Sequence, residues 1–314
     1  MSCSGDHNSA MTELLNGVAP LSHLGVIRAQ GEDAASFLHG QLTNDFALLK
    51  LDQARLAAFC TAKGRMLASF IGFKRSPDEI LLICDQSLLA PTLKRLSMFV
   101  LRAKCKLSDA TADFSLYGLI GSAAEQYLPA SSPPWAKISA GEASVVQLYP
   151  AQGQNRALWV APKDTAAPAG ETLDGAVWQW SEVQSAIATL SAPVVDAFVP
   201  QMLNYESVGG VNFKKGCYPG QEIVARSQFR GTLKRRAYLA HADNALTVGS
   251  EIFAAGDAEQ PVGTVVQAAA NPAGGWDGIV SMQISAASES LTAGAADGQS
   301  LTLLALPYAL LEDI

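Results

Sequence analysis

Asn212-Phe213-Lys214-Lys215-Gly216-Cys217-Tyr218-Pro219-Gly220-Gln221-Glu222 is the most distinctive stretch of this 314-residue chain. Two glycines enclose a cysteine, a tyrosine and a proline, with lysines just before and an amide–carboxylate pair just after. Glycine opens backbone angles closed to other residues and proline fixes its own, so the segment reads as a shaped loop. The Cys217 thiol beside Lys214 and Lys215 sits where positive potential favours the thiolate, its reactive form. The apolar run Ile223-Val224-Ala225 then marks where loop gives way to regular structure. No second cysteine lies nearby and no Gly-Lys-Ser/Thr is present, so neither metal nor phosphate-loop spacing fits. On residue chemistry alone, a buried structural cysteine at a tight corner competes evenly with a reactive one.

The whole string decides between them. Lys215-Gly216-Cys217-Tyr218 followed by Gly220-Gln221-Glu222 resembles the signature of the YgfZ family of folate-binding proteins. The likeness extends upstream through Pro200-Gln201-Met202-Leu203-Asn204 and Gly209-Gly210-Val211-Asn212-Phe213, and downstream through Ala225-Arg226. Gly31-Glu32-Asp33-Ala34 and Phe37-Leu38-His39-Gly40-Gln41-Leu42-Thr43-Asn44-Asp45 are similar to the family's opening motif. The family in turn is similar in fold to the aminomethyltransferase (T-protein) of the glycine cleavage system. The resemblance implies an α+β, T-protein-like architecture of three units: a central unit, a ferredoxin-like unit and a C-terminal β-barrel, arranged around a folate cavity. It also implies a tetrahydrofolate ligand, with Cys217 and Lys215 as the functional pair and Lys215 lowering the thiol's pKa. Iron–sulfur client enzymes are the implied partners, among them a tRNA methylthiotransferase.

Two departures qualify the resemblance. T-protein chemistry relies on a carboxylate in a Gly-Gly-x-x-Asp-Asp segment between two early strands. The corresponding stretch here is Lys63-Gly64-Arg65-Met66-Leu67-Ala68, with Leu67-Ala68 in the acidic places. A transfer that needs an acid beside the folate amine loses its key group, so aminomethyltransferase activity is not expected. Leu24 stands where some relatives carry an aromatic on the first strand, which bears on the folate wall.

Folate presents a flat pterin, an aminobenzoyl ring and an anionic tail, so its pocket needs aromatic walls, a few polar groups and a cation. Trp178, Trp180, Phe213 and Tyr218 are the candidate walls, each equally readable as an ordinary core aromatic. Gln221 and Glu222 offer donors and acceptors for pterin nitrogens, or hydrogen bonds within the loop. Arg226 holds a carboxylate or closes a surface ion pair. Asp45 is a further acid that approaches the pocket or caps local backbone. For Cys217, attack on an electrophile, a disulfide or sulfenic state, and contact with an iron–sulfur cluster in transit all stay open.

A formal charge of −7 argues against a broad grip on nucleic acid, although Lys214, Lys215, Arg226, Arg230, Lys234, Arg235 and Arg236 crowd one segment. Five cysteines, odd in number and scattered, point to a reducing compartment. The first 18 residues lack the basic start and apolar run of a signal peptide, and no long apolar run follows. A cytoplasmic protein with no membrane span and no resident metal is the expectation.

The expected division is a loose tail over 1–18, a folate-binding aminomethyltransferase-like region over 19–230 and a C-terminal β-barrel over 231–314, with Gly231 at the boundary. Within it, strands are read at 25–29, 55–60, 66–73, 79–84, 105–107, 114–120, 144–148 and 156–160. A short helix follows Asp33 and ends at Gly40. An amphipathic helix follows Asp85, with Leu88, Leu89, Leu93 and Leu96 on one stripe. Ser181 and Gln184 form a capping box ahead of a helix carrying Val183, Ala186, Ile187 and Leu190. Five strands between 237 and 306 suit a small barrel, with 285–299 as a flexible loop. The function this implies is a tetrahydrofolate-binding accessory protein for iron–sulfur enzymes, including tRNA methylthiolation. The alternatives are a folate-dependent one-carbon transferase and a thiol redox switch or scaffold.

Overall fold

The computed structural model describes residues 14–129, 131–229, 233–255 and 259–311. Leu15 is buried, and β1 (Gly17–Pro20) follows at once. The loose tail expected over 1–18 therefore excludes residues 14–18, because Gly17 and Val18 already pair with a later strand. Residues 1–13 and Gly231 lie outside the described residues.

β2 (Leu24–Gln30), β3 (Ala54–Cys60), β4 (Met66–Ser76), β5 (Glu79–Asp85) and β6 (Lys106–Asp109) form an antiparallel sheet in the order β3-β4-β5-β2-β6. Side chains alternate across a strand, and here both faces are apolar. Leu81 and Ile83 point into the main core, while Ile80, Leu82 and Cys84 point into a second core shared with α1 (Ala34–Gln41) and α2 (Gln86–Ser97). Asp85 caps α2 by accepting from Ser87 N at 2.9 Å. Asp33 stands at the start of α1 but accepts from Lys104 N at 2.7 Å instead, and α1 runs one residue past Gly40.

β7 (Phe114–Ile120), β8 (Lys137–Ala140), β9 (Ala143–Gln147) and β10 (Arg156–Pro162) join β1 in a second sheet, ordered β1-β7-β10-β9-β8. Leu116, Val146, Leu158 and Val160 face the main core, and Ala157, Trp159 and Ala161 face the other side, towards Ala123 and Ala124 of α3 (Ser122–Glu125).

One helix differs from its expectation. α4 spans Gly175–Gln184 and is capped by Asp174, which accepts from Ala176 N at 2.9 Å. Ser181 is therefore in its last turns, where its Oγ donates to Trp178 O at 2.6 Å, and it caps nothing. The helix stops because Ala186 takes a left-handed φ of 54°. The apolar spacing from Val183 to Leu190 runs over a helix end.

β11 (Arg235–Ala242), β12 (Glu251–Ala254), β13 (Gly263–Ala270), β14 (Trp276–Gln283), β15 (Leu291–Ala293) and β16 (Gln299–Leu304) close a barrel in the order β11-β14-β13-β12-β15-β16. β15 lies inside the stretch read as a flexible loop. It is held because Ile252 to Ala254 pair with it and Leu291 and Ala293 are buried in the barrel core. Asp277 on β14, 1% exposed, ties the barrel to α4: it accepts from Trp180 Nε1 and Gln184 Nε2, both at 2.6 Å. Asn271 Nδ2 at 2.9 Å and the His241 ring at 2.7 Å complete its partners. No helix among the described residues is long and apolar enough to cross a membrane.

Candidate functional site

The two motifs singled out in the sequence meet in space. Thr43 Oγ1 donates to Gly210 O at 2.7 Å, Asn44 Nδ2 to Gly209 O at 2.6 Å, and Asn212 N to Thr43 O at 2.9 Å. These bonds anchor the start of the 212–222 loop. Its far end becomes α5 (Gln221–Phe229), steadied by Gln201 Nε2 donating to Val224 O at 2.7 Å. Gly220 has a φ of +82°, and a Cβ there would meet Thr61 O and come within 2.6 Å of Gly64 Cα in the β3–β4 turn. Only glycine lets these two backbones touch. Gly220→Ala is expected to cost about 1–3 kcal/mol through that strained conformation, read by urea unfolding. A loss under about 0.5 kcal/mol would show that the loop moves aside freely.

Lys215 points inward and Cys217 is exposed. The Lys215 ammonium donates to His39 O at 2.5 Å and Leu42 O at 2.9 Å, and lies 4.5 Å from the Tyr218 ring centroid. It thereby serves the end of α1, where backbone carbonyls lack helical partners. Burial pushes Lys215 down to about 8, against the opposing pull of Asp45 and Cys217. The sign of the resulting pH dependence is fixed. The folded-state value lies below the ordinary lysine value, so above pH 8 the unfolded chain holds a proton that the folded chain releases. Stability from this group therefore rises with pH from about 8 towards the ordinary lysine range near 10.4. The unfolding free energy of wild type minus that of Lys215→Met is expected to climb between pH 8 and 10; a flat difference would mean the ammonium stays solvated.

The expected folate residues do not share one cavity. Trp178 lines a cavity between the two sheets. Trp180 is buried and spends its N–H on Asp277. Phe213 lines a separate outer cleft of about 660 Å³ and packs on Phe229 at 5.2 Å. Tyr218 is buried over Lys215. Gln221 Nε2 reaches Lys215 O at 3.4 Å, a bond within the loop. Glu222 and Arg226 pair with each other at 2.8 Å on the exposed face of α5.

The inner cavity holds polar groups of its own. Arg156 on β10 is buried and stacks 4.5 Å from the Trp178 ring. Burial pushes it down to about 10, offset in part by Glu182. Its Nη1 reaches Tyr149 O at 3.4 Å, but its Nε has no hydrogen-bond partner among the described residues. Glu182 accepts from Trp178 Nε1 at 3.0 Å and pairs with His23 at 3.2 Å. Trp135 and Tyr149, 5.8 Å apart, complete the aromatic lining.

The whole architecture matches the crystal structure of glycine cleavage system aminomethyltransferase T from Bartonella henselae with a TM-score of 0.68. That match covers 95% of this chain and 88% of the other at 16% identity. Residues 6–145 match the family described as the GCVT N-terminal domain. The tRNA-modifying protein YgfZ of Vibrio atlanticus is 33% identical over 236 residues, covering 73% of this chain and 70% of its own. That of Photorhabdus laumondii is 30% identical over 307 residues, covering 93% and 92%. The chain belongs to the YgfZ family.

In this YgfZ-family chain the loop cysteine and the inner cavity are separate places. Sequence reasoning reached the first and missed Arg156, Glu182, Trp135 and Tyr149. The signals were weak: one arginine opening an apolar strand, and one glutamate inside a helix placed too late. A charged residue in the run Arg156-Ala157-Leu158-Trp159-Val160, otherwise apolar, was the readable clue.

Proposed function

We propose that this chain binds a reduced folate in the cavity between its sheets and uses the separate thiol of Cys217, with Lys215 anchoring its loop, to support iron–sulfur enzymes that modify tRNA. The observation that carries the folate reading is the buried Arg156, whose Nε lacks a partner among the described residues, inside an aromatic-lined cavity that also holds Glu182. A buried donor without an acceptor is costly, and a bound ligand would supply one. Glu182 would accept from the amino and ring N–H groups of a pterin, and Trp135 and Tyr149 would flank it. The cavity holds about 60 Å³, well under the roughly 300–1,000 Å³ of ordinary ligand pockets. Trp135 lines both this cavity and the outer cleft, so its movement would join the two. Arg55 and Lys214 on the outer cleft would then meet the anionic tail. When bound, tetrahydrofolate supplies ring nitrogens that carry one-carbon units.

The names of the relatives support a link to tRNA modification. A one-carbon transferase is disfavoured by β4, which offers Met66, Leu67 and Ala68 and no acid. Cys60 and Cys84, buried and pushed up to about 12, and Cys105, also buried and pushed up by burial, are poor nucleophiles. That leaves Cys217 as the accessible thiol among the described residues.

Calorimetric titration with tetrahydrofolate tests the folate reading. Wild type is expected to bind saturably, Glu182→Gln about tenfold more weakly, and Cys217→Ala like wild type. No binding by folded wild type, or an unchanged affinity in Glu182→Gln, would remove it.

A further inference from the structure

The imidazole nearest the signature loop is already oriented. His39 sits in the last turns of α1, and its Nδ1 lies 3.1 Å from Asp45 Oδ1. Partial burial opposes ionisation of Asp45, yet the Leu48 N–H and the His39 ring outweigh it and hold this carboxyl below the usual range. A carboxylate can only accept, so Nδ1 is the ring's donor to Asp45, and in the neutral tautomer with that proton Nε2 carries the lone pair. The Ala47 N–H also points at Nδ1, at 3.4 Å, a contact that a protonated Nδ1 cannot accept; the shorter contact with the carboxylate decides the tautomer. Nε2 faces the loop: it is 3.6 Å from where a Cβ on Gly216 would stand, one peptide bond from Cys217. Gly216 has no side chain to fill that space. Lys215 locks the arrangement, because its ammonium grips the carbonyl of His39 itself.

We propose that His39 is the proton acceptor of Cys217, with Asp45 as its positioning residue. The inference rests on the reading of Cys217 as the reacting group and adds the base that reading lacks. In the step, the Cys217 S–H bond breaks, its proton passes to His39 Nε2, and the electron pair stays on sulfur. Asp45 then faces an imidazolium through Nδ1–H, an ion pair that favours the transfer. Among the described residues, Lys215 and Arg55, both cationic, feel the charge of Asp45.

Iodoacetamide alkylation of the full chain tests it, followed by mass spectrometry of the peptide holding Cys217. At pH 6.5 His39→Gln is expected to be alkylated about tenfold more slowly than wild type, with Asp45→Asn in between. At pH 10, where any thiol is largely ionised, all three should react alike, which controls for exposure. Equal rates at pH 6.5, or a deficit that persists at pH 10, would overturn the proposal. Should His39→Gln fail to fold, the imidazole resonances of His39 are compared in wild type and Cys217→Ser. Their pH titration should differ, and identical curves would overturn the proposal too. Cys217→Ser that leaves tRNA methylthiolation intact would instead defeat the underlying thiol reading, whatever alkylation shows.

Discussion

Asp277→Ala is expected to destabilise the protein by about 3–5 kcal/mol, measured by urea or thermal unfolding. The carboxylate is buried on β14 and receives four side-chain donors. Removing it leaves the Trp180 indole N–H and the Gln184 amide without their acceptor, and each buried orphan carries a desolvation cost. Two of the four donors come from α4 and two from the barrel region, so the loss falls on the seam between them. The barrel is therefore expected to unfold as a separate transition in this variant. Asp277→Asn, which keeps one carbonyl oxygen, should fall between. A loss below about 1 kcal/mol for the alanine variant would show that the seam is held by apolar packing alone.

The second large effect concerns the thiol. Cys217→Ser, expressed in cells without another copy, is expected to cut tRNA methylthiolation about tenfold or more, since a hydroxyl does not form the anion that a thiol does. Tetrahydrofolate affinity should stay within about twofold. The separation follows from geometry: none of the residues lining the inner cavity belongs to the 212–222 loop. Glu182→Gln should show the reverse pattern, with folate binding weakened and alkylation of Cys217 unchanged. If both variants lose both properties, the two places act as one site.

Much of this was legible in the sequence because it was local. The loop's glycines and proline, the Asp85 cap and the alternating strands each declare themselves within about ten residues. The string around Cys217 identified the family, and with it the α+β architecture and the barrel. What stayed hidden depends on distant partners. Trp180 and Asp277 are 97 positions apart, so nothing near Trp180 says that its N–H is already engaged. Arg156 and Glu182 reach the same cavity from a strand and a helix, and the helix was misplaced because Ser181-x-x-Gln184 imitates a cap. Asp174 seven residues earlier was the true cap, and its Asp-Gly-Ala context reads more like a turn. Phe213, Tyr218, Gln221, Glu222 and Arg226 share a motif without sharing a cavity. Proximity in sequence marked the loop, and the sheets built the pocket.

The grip of Lys215 on α1 has a consequence for the growing chain. Its ammonium meets carbonyls 176 and 173 positions upstream, and closing spans of that length is slow and entropically opposed until the intervening strands have packed. On the ribosome, α1 must leave those carbonyls to water until more than two thirds of the protein has been made. Cys217 emerges only two residues after the lysine that fixes its surroundings. A nascent or truncated protein thus carries Cys217, if at all, on a loop that Lys215 has not yet anchored, and that loop takes its final shape only once both ends of the span have been joined. Anchoring of the loop is in effect a timer on synthesis, set by topology with no added regulator.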